Sequence, residues 1–234
     1  LRLSASPSFA KESLFRKGLY AVQDEASQLI GYLVNPQSGE KIADACSGPG
    51  GKLSHVYELG KEDVTLFSVE KDASQMQRIK ENMDRLGHSK NVEYFETSFL
   101  DWKAPAELDK VLLDAPCTGL GVLRRHPEGK WHKKADGQKE IIKLQEELID
   151  QAIKNLKDGG ELIYSVCSFE LNECEHHLTR LLNQFGDKIE VISPASRLPN
   201  YYKKYVTRKN YLAVYAGNPD DMDGFSAFII RIKK

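Results

Sequence analysis

The sequence predicts an α/β fold built on a doubly wound, mostly parallel sheet with an antiparallel hairpin near its C-terminal end. Three observations carry that expectation. Short β-rich runs alternate with segments of helical periodicity over nearly the whole chain. A glycine-rich or polar turn follows one predicted strand after another. The two last β-rich runs, 212–215 and 225–230, have no helix between them.

In chain order, residues 40–45 read as a short strand running into Cys46-Ser47-Gly48-Pro49-Gly50-Gly51-Lys52, and 53–59 have helical spacing. Residues 63–69 form a second β-rich run ending at Glu70. A polar helix over 73–86 follows and stops at Gly87. Strands at 92–95 and 110–113 come next, the latter ending in Asp114-Ala115-Pro116-Cys117. A helix over 139–156 closes at Gly159-Gly160, a strand over 161–166 ends at Cys167-Ser168, and a helix covers 173–184. The Pro- and Ser-containing stretch 193–199 reads as a long surface connection.

Length and composition bound the answer. The 234 residues, 41% hydrophobic and 29% charged, suit one large soluble domain rather than a disordered or fibrous chain. No apolar run approaches the roughly 18 residues a membrane-spanning helix needs, and the first residues do not read as a signal peptide. The expectation is a cytoplasmic monomer without membrane attachment. A first residue of Leu rather than Met suggests a fragment or a processed start. The net charge of -1 gives no global sign of a nucleic-acid binder, so such a signal must be local. Cys46, Cys117, Cys167 and Cys174 do not form a zinc spacing, so no metal is expected, and they call for no disulfides.

In a doubly wound sheet, ligands sit outside the carboxyl ends of the strands. The unusual residues here all follow strands, so they should converge on one face. The small residues of the 46–52 loop let the backbone approach a ligand, and an acid such as Glu70 at the next strand end suits the ribose hydroxyls of an adenosine. The strict G-x-G-x-x-G spacing is absent, and such a loop also occurs as a plain turn. Cys117 and Cys167 would meet at one pocket mouth if their strands are neighbours. Each alone also reads as a small buried hydrophobe. Two thiols at strand ends, with Asp114 nearby, suit covalent addition to a cytosine ring, whose carbon 5 becomes nucleophilic only after something adds at carbon 6.

D-A-C-S-G-P-G-G-K at 44–52, D-A-P-C-T-G at 114–119 and Y-S-V-C-S at 164–168, followed by Asn172-Glu173, resemble the Sun/Nop family of RNA cytosine-5 methyltransferases. F-R-K-G-L-Y-A-V-Q-D-E-A-S-Q at 15–28, R-R-H-P-E-G-K-W at 124–131 and D-G-F at 223–225 extend the resemblance over essentially the whole chain. The 125–131 run looks most like the bacterial Sun/Fmu branch, which methylates a cytosine of 16S ribosomal RNA. The resemblance implies a Rossmann-like class I methyltransferase fold, with an N-terminal appendage over 1–30 as the remnant of a family-specific subdomain and a catalytic domain over 31–234.

It also implies roles. Cys167 would be the attacking nucleophile and Cys117 would help release product. The loop Cys46 to Lys52 and Glu70 would hold S-adenosylmethionine, and Asp114 would border both cofactor and base. The segment around Gln23 and Asp24 would pack beside the cofactor pocket. Three positions depart from the family pattern. Ser47-Gly48 replaces a pair of alanines. Ser98 stands where an Asp contacts the adenine side, with Asp101 as a nearby substitute, and Val166 replaces a threonine.

RNA contact is expected from Arg124, Arg125, Lys130, His132, Lys133 and Lys134, with Trp131 able to stack on a base. A second cluster joins Lys203, Lys204, Arg208 and Lys209 to Tyr201, Tyr202 and Tyr205. Most charge runs are simply solvated faces. The readings left open are the same chemistry on transfer RNA, a non-catalytic RNA-binding module of this fold, and an α/β methyltransferase acting on a protein or small molecule.

Overall fold

The structure is a computed structural model and is described over residues 11–132 and 135–233. The elements, in order, are α1 (Ser13–Arg16), α2 (Glu25–Val34), β1 (Lys41–Ala45), α3 (Gly51–Gly60), β2 (Thr65–Glu70), α4 (Ala73–Leu86), β3 (Val92–Glu96), β4 (Leu108–Asp114), α5 (Gly129–His132), α6 (Ala135–Asn155), β5 (Leu156–Val166), α7 (Glu175–Phe185), β6 (Ile189–Ile192), β7 (Leu212–Val214) and β8 (Phe225–Ile232). The sheet runs β3-β2-β1-β4-β5-β8-β6, and β7 also pairs with β8.

The first five strands in that order pair in parallel, as expected of strands joined by helices. The expected antiparallel pairing of β7 with β8 is present, and β8 goes further, lying antiparallel between β5 and β6.

Period-2 alternation decides the layers. Ala43, Val111, Leu113, Leu162 and Tyr164 face one way, onto Leu148, Ile149 and Ala152 of α6 and Leu178 and Leu181 of α7. Ile42, Leu66, Leu112, Ile163 and Ile229 face the other way, onto Leu29, Ile30 and Leu33 of α2, Leu53 and Val56 of α3, and Met76, Ile79 and Met83 of α4. Strands buried on both faces read as nearly continuous apolar runs, as these do.

The helix ends follow ordinary capping chemistry. Asp24 accepts from the Ala26 N–H at the start of α2, Asp72 accepts from the Gln75 N–H at the start of α4, and Gly87 ends α4 in the left-handed region. The N-terminal segment is anchored on α4: Arg85 donates to the carbonyls of Phe15 and Tyr20 and stacks over the Phe15 ring.

Several elements differ from the sequence expectation. Helix α2 and strand β6 were not anticipated, and the division after residue 30 falls inside α2, whose Leu29, Ile30, Leu33 and Val34 are buried together. Gly159 and Gly160 do not close a helix. The strand already begins at Leu156, which pairs with Leu108, and a register shift carries the chain on to Glu161 opposite Lys110. The 193–199 connection is not simply surface, because Pro194 and Leu198 are buried and Arg197 donates to the Leu33 carbonyl and to Glu161. Among the described residues, no helix is long and apolar enough to cross a membrane, and no His, Cys, Asp and Glu cluster could hold a metal ion.

Candidate active site

The expected convergence is found. Cys46, Glu70, Asp114 and Cys167 lie at or just beyond the carboxyl ends of β1, β2, β4 and β5, with Ser98 two residues past β3, and neighbouring parallel strands bring these ends to one edge of the sheet.

The loop after β1 is fastened to β2. The Gly48 N–H donates to Oε2 of Glu70 at 3.0 Å, and the other Glu70 oxygen accepts from the Asp72 N–H. A Cβ on Gly48, where the family pattern has alanine, would lie 2.9 Å from Glu70 Oε2 and 3.1 Å from Gln75 Cβ, so Glu70 sits closer to the loop than an alanine there would allow. Ser47 donates to the Asp44 carbonyl and accepts from the Val69 N–H. The serine that replaces an alanine thus adds a tie between the two strands. Gln23 stands by Gly51 at the start of α3: a Cβ there would lie 3.8 Å from Gln23 Nε2. Ser98 makes local bonds only, its hydroxyl accepting from the Leu100 N–H, and Asp101 beside it is exposed.

Asp44 was not singled out from the sequence, although an acid inside an apolar strand is the signal. It is 3% exposed, and neither carboxylate oxygen has a hydrogen-bond partner. Burial pushes its carboxyl well up, and Asp114 and Glu70 add to this against Lys52. A buried carboxylate without donors, at the start of the glycine loop whose Ser47 donates to the Asp44 carbonyl, fits a cofactor carrying an ammonium or sulfonium charge.

Asp114 is held from two sides. Lys52 Nζ lies 2.6 Å from its Oδ2, and Ser165 donates to its Oδ1 at 2.8 Å. Because β4 pairs with β5, opposing Asp114 to Ser165, the loops beyond them meet, and the Cys117 and Cys167 sulfurs are 3.2 Å apart. Both thiols are free and half-buried. Their environments are unequal. The Cys117 thiol is pushed well up, by its hydrogen bond with Cys167, by burial, by the Cys167 charge and, less strongly, by Glu173. The Cys167 thiol is pulled down, by its hydrogen bond with Cys117 and by Lys52, against burial and Asp114. Of the two, Cys167 is the thiol whose deprotonated form is the more favoured. The remaining thiols are inert by contrast: burial raises Cys46 to about 12 and pushes Cys174 up as well.

Glu173 lies fully buried between the loops that carry the two cysteines. Its carboxylate accepts from the Thr118 N–H and hydroxyl, the Ser168 hydroxyl and the Gln145 amide. The same amide donates to the Pro116 carbonyl, and the Gln145 oxygen pairs with His177 Nε2. None of Glu173, Gln145 or His177 was expected here. The Asn172-Glu173 pair was the only clue, and nothing local reveals where its carboxylate turns.

The main chain closes the site from below. The Gly121 N–H donates to the Cys167 carbonyl at 3.0 Å, and the Gly224 N–H donates to the Gly121 carbonyl at 2.8 Å. A Cβ on Gly121 would lie 1.9 Å from the Gly224 oxygen.

The expected RNA contacts are placed unevenly. Arg125 donates through Nε to Asp223 at 2.7 Å, and Arg124 reaches both Asp223 and Asp24, so both guanidiniums sit in an ion-pair cluster at the rim rather than standing alone. Trp131 is 78% exposed. The side chains of Lys130 and His132, and residues Lys133 and Lys134, lie outside the described residues. In the second cluster, Lys204 pairs with Asp220 and Lys209 with Glu175, and the hydroxyls of Tyr201 and Tyr205 donate to Asp220. Much of that charge is internally neutralised.

The parallel sheet, the glycine loop tied to an acid on the next strand and the strand-end acid Asp114 define a class I S-adenosylmethionine-dependent methyltransferase fold. Residues 31–230 match the family model described as 16S rRNA methyltransferase RsmB/F. The chain belongs to that family, within the Sun/Nop methyltransferases and on their bacterial branch.

It is 38% identical over 186 residues to the ribosomal RNA small subunit methyltransferase B of Shewanella oneidensis, covering 79% of this chain and 43% of that one. The protein of the same name from Vibrio cholerae is 38% identical over 174 residues, covering 74% and 40%. The chain thus spans less than half the length of these curated relatives. Among solved structures, PH0851 superposes with a TM-score of 0.87 at 30% identity, covering 98% of this chain and 50% of that one. NSun6 from Pyrococcus horikoshii, solved with SFG, superposes with a TM-score of 0.84 at 24% identity over 98% of this chain and 57% of that one, and shows the shared fold.

Proposed function

We propose that this chain transfers a methyl group from S-adenosylmethionine to carbon 5 of a cytosine in 16S ribosomal RNA, through a transient bond between Cys167 and carbon 6. The observation that carries the reading is the contact of two unequal thiols at the ends of neighbouring strands, beside an Asp114 already held by Lys52 and Ser165. The curated relatives are named as methyltransferases of the small ribosomal subunit. SFG, present in the NSun6 structure, is an S-adenosylmethionine analogue, which supports the choice of cofactor.

The loop Cys46 to Lys52 and Glu70 would hold the cofactor, with Asp44 supplying an unsatisfied carboxylate to its cationic portion. When bound, the cofactor supplies an electrophilic methyl group. Asp114 accepts from the amino group at the edge of a flipped cytosine and holds the ring in place, while Lys52 beside it offsets the negative charge that develops. The Cys167 thiolate forms the sulfur–carbon 6 bond, and the electrons of the 5,6 double bond move to carbon 5, which takes the methyl group. The carbon 5 proton then passes to a base, the double bond re-forms and the bond to Cys167 breaks. Cys117, whose thiol stays protonated, is placed to assist that expulsion. Arg124, Arg125, Lys130 and Trp131 would line the approach of the RNA.

Incubating the protein with labelled S-adenosylmethionine and small-subunit RNA, then mapping the label, tests the reading. Cys117→Ala should accumulate a covalent RNA adduct, and Cys167→Ala should form none. Label at a position other than carbon 5 of cytosine, or an adduct that survives loss of Cys167, refutes it.

A further inference from the structure

The two thiols are chemically identical and sit in contact, yet the reaction needs one as an anion and the other as an acid. Something outside the pair must break the symmetry. Asp114, Lys52 and Arg125 face Cys167, whereas Glu173 and Tyr164 face Cys117. Of these, Glu173 is bonded to the residue that follows each cysteine. Its grip is lopsided: it accepts two bonds from Thr118, which follows Cys117, and one from Ser168, which follows Cys167.

Four donors converge on the two oxygens, as an ionised carboxylate accommodates, and none of the four is a cation. A buried charge without a counter-ion exerts a strong field at short range. Gln145 in turn is held by His177, so the carboxylate is fixed in orientation.

We propose that Glu173 is a positioning residue that assigns the two thiols their separate roles, gripping the segment after each cysteine and setting its negative charge on the Cys117 side of the pair. With a negative neighbour, Cys117 keeps its proton and donates it toward Cys167, which is left as the anion. The direction in which each thiol is displaced agrees with this. For its place in catalysis the inference rests on Cys167 being the nucleophile. The assignment of the proton does not depend on what the enzyme methylates.

The test is alkylation of the whole protein by iodoacetamide at pH 7.5, with modification at each cysteine followed by mass spectrometry. In the native protein Cys167 should react about tenfold faster than Cys117. Glu173→Gln, which keeps the shape and removes the charge, should bring the two rates within about threefold, whereas Glu173→Asp, which keeps the charge on a shorter arm, should preserve most of the preference. A folded Glu173→Gln protein that retains the native preference overturns the proposal, and so does an Asp variant that loses it as fully as Gln. If Glu173→Gln does not fold, Thr118→Val decides: removing one of the bonds from the Cys117 side should reduce the preference about threefold, and an unchanged preference overturns the proposal. Selective alkylation lost in Glu173→Gln, in a protein that methylates no cytosine, would uphold Glu173 and remove the cytosine reading.

Discussion

Lys52 Nζ sits 2.6 Å from Oδ2 of Asp114, joining the first turn of α3 to the end of β4. The pair is mostly shielded from water, and Asp44 lies close enough to raise its own carboxyl against Asp114. Lys52→Met removes the cation that offsets Asp114 beside Asp44 and leaves the two acids to repel. Single-turnover methyl transfer should fall about 100-fold, as expected when a preorganised charge is lost. Urea unfolding should show a loss of about 1–2 kcal/mol. A transfer rate within threefold of native would show that the pair is ornamental.

Glu70→Ala asks a different question. It removes the carboxylate that accepts from the Gly48 and Asp72 N–H groups and so unfastens the cofactor loop from β2. Affinity for S-adenosylmethionine should weaken about tenfold, near 1.4 kcal/mol, by isothermal titration calorimetry. An unchanged affinity would place the cofactor elsewhere.

His177 makes stability depend on pH. Burial lowers its value from 6.5 to about 4, so between those values the unfolded chain binds a proton that the folded chain refuses. Stability from this residue is complete above about pH 6.5 and is lost as the pH falls toward 4, by about 2–3 kcal/mol. Urea midpoints at pH 7 and 4.5 measure the loss. His177→Gln, whose amide can still donate to Gln145, should flatten the slope. A slope as steep in the variant would assign it to other groups.

Arg125 contacts the 2% exposed Asp223 through both Nε and Nη2, a geometry that an ammonium cannot copy. Arg125→Lys should weaken RNA binding about fivefold in a gel-shift titration at fixed salt, because the rim charge loses its setting. Equal affinity for native and variant would remove Arg125 from the RNA face.

Much of this site was legible before any coordinates. The 46–52 loop, Glu70 and the two Cys-bearing strand ends announce themselves because strand, turn and small-residue signals are local. Which thiol takes the charge was not local. It depends on Glu173 reaching Thr118, 55 residues away, and Ser168, five residues away, from a turn with no signature of its own. The cluster at 124–125 reads as a free basic patch in sequence because Asp223, 98 residues beyond Arg125, pairs with it only in the folded chain. Likewise β6 is four residues long and finds its partner β8 some forty positions later, beyond any window of periodicity.

The link from Cys167 through Gly121 to Gly224 runs entirely along peptide groups. The seat of the sulfur is thus set by backbone geometry, and the side chains around it tune its charge rather than its place. Such a seat keeps the main chain under Cys167 independent of which side chains line the rim at Arg124 and Arg125. Its one rigid condition is that two glycines stay bare: alanine at 121 or 224 would wedge the peptide chains apart beneath the sulfur before any substrate arrived.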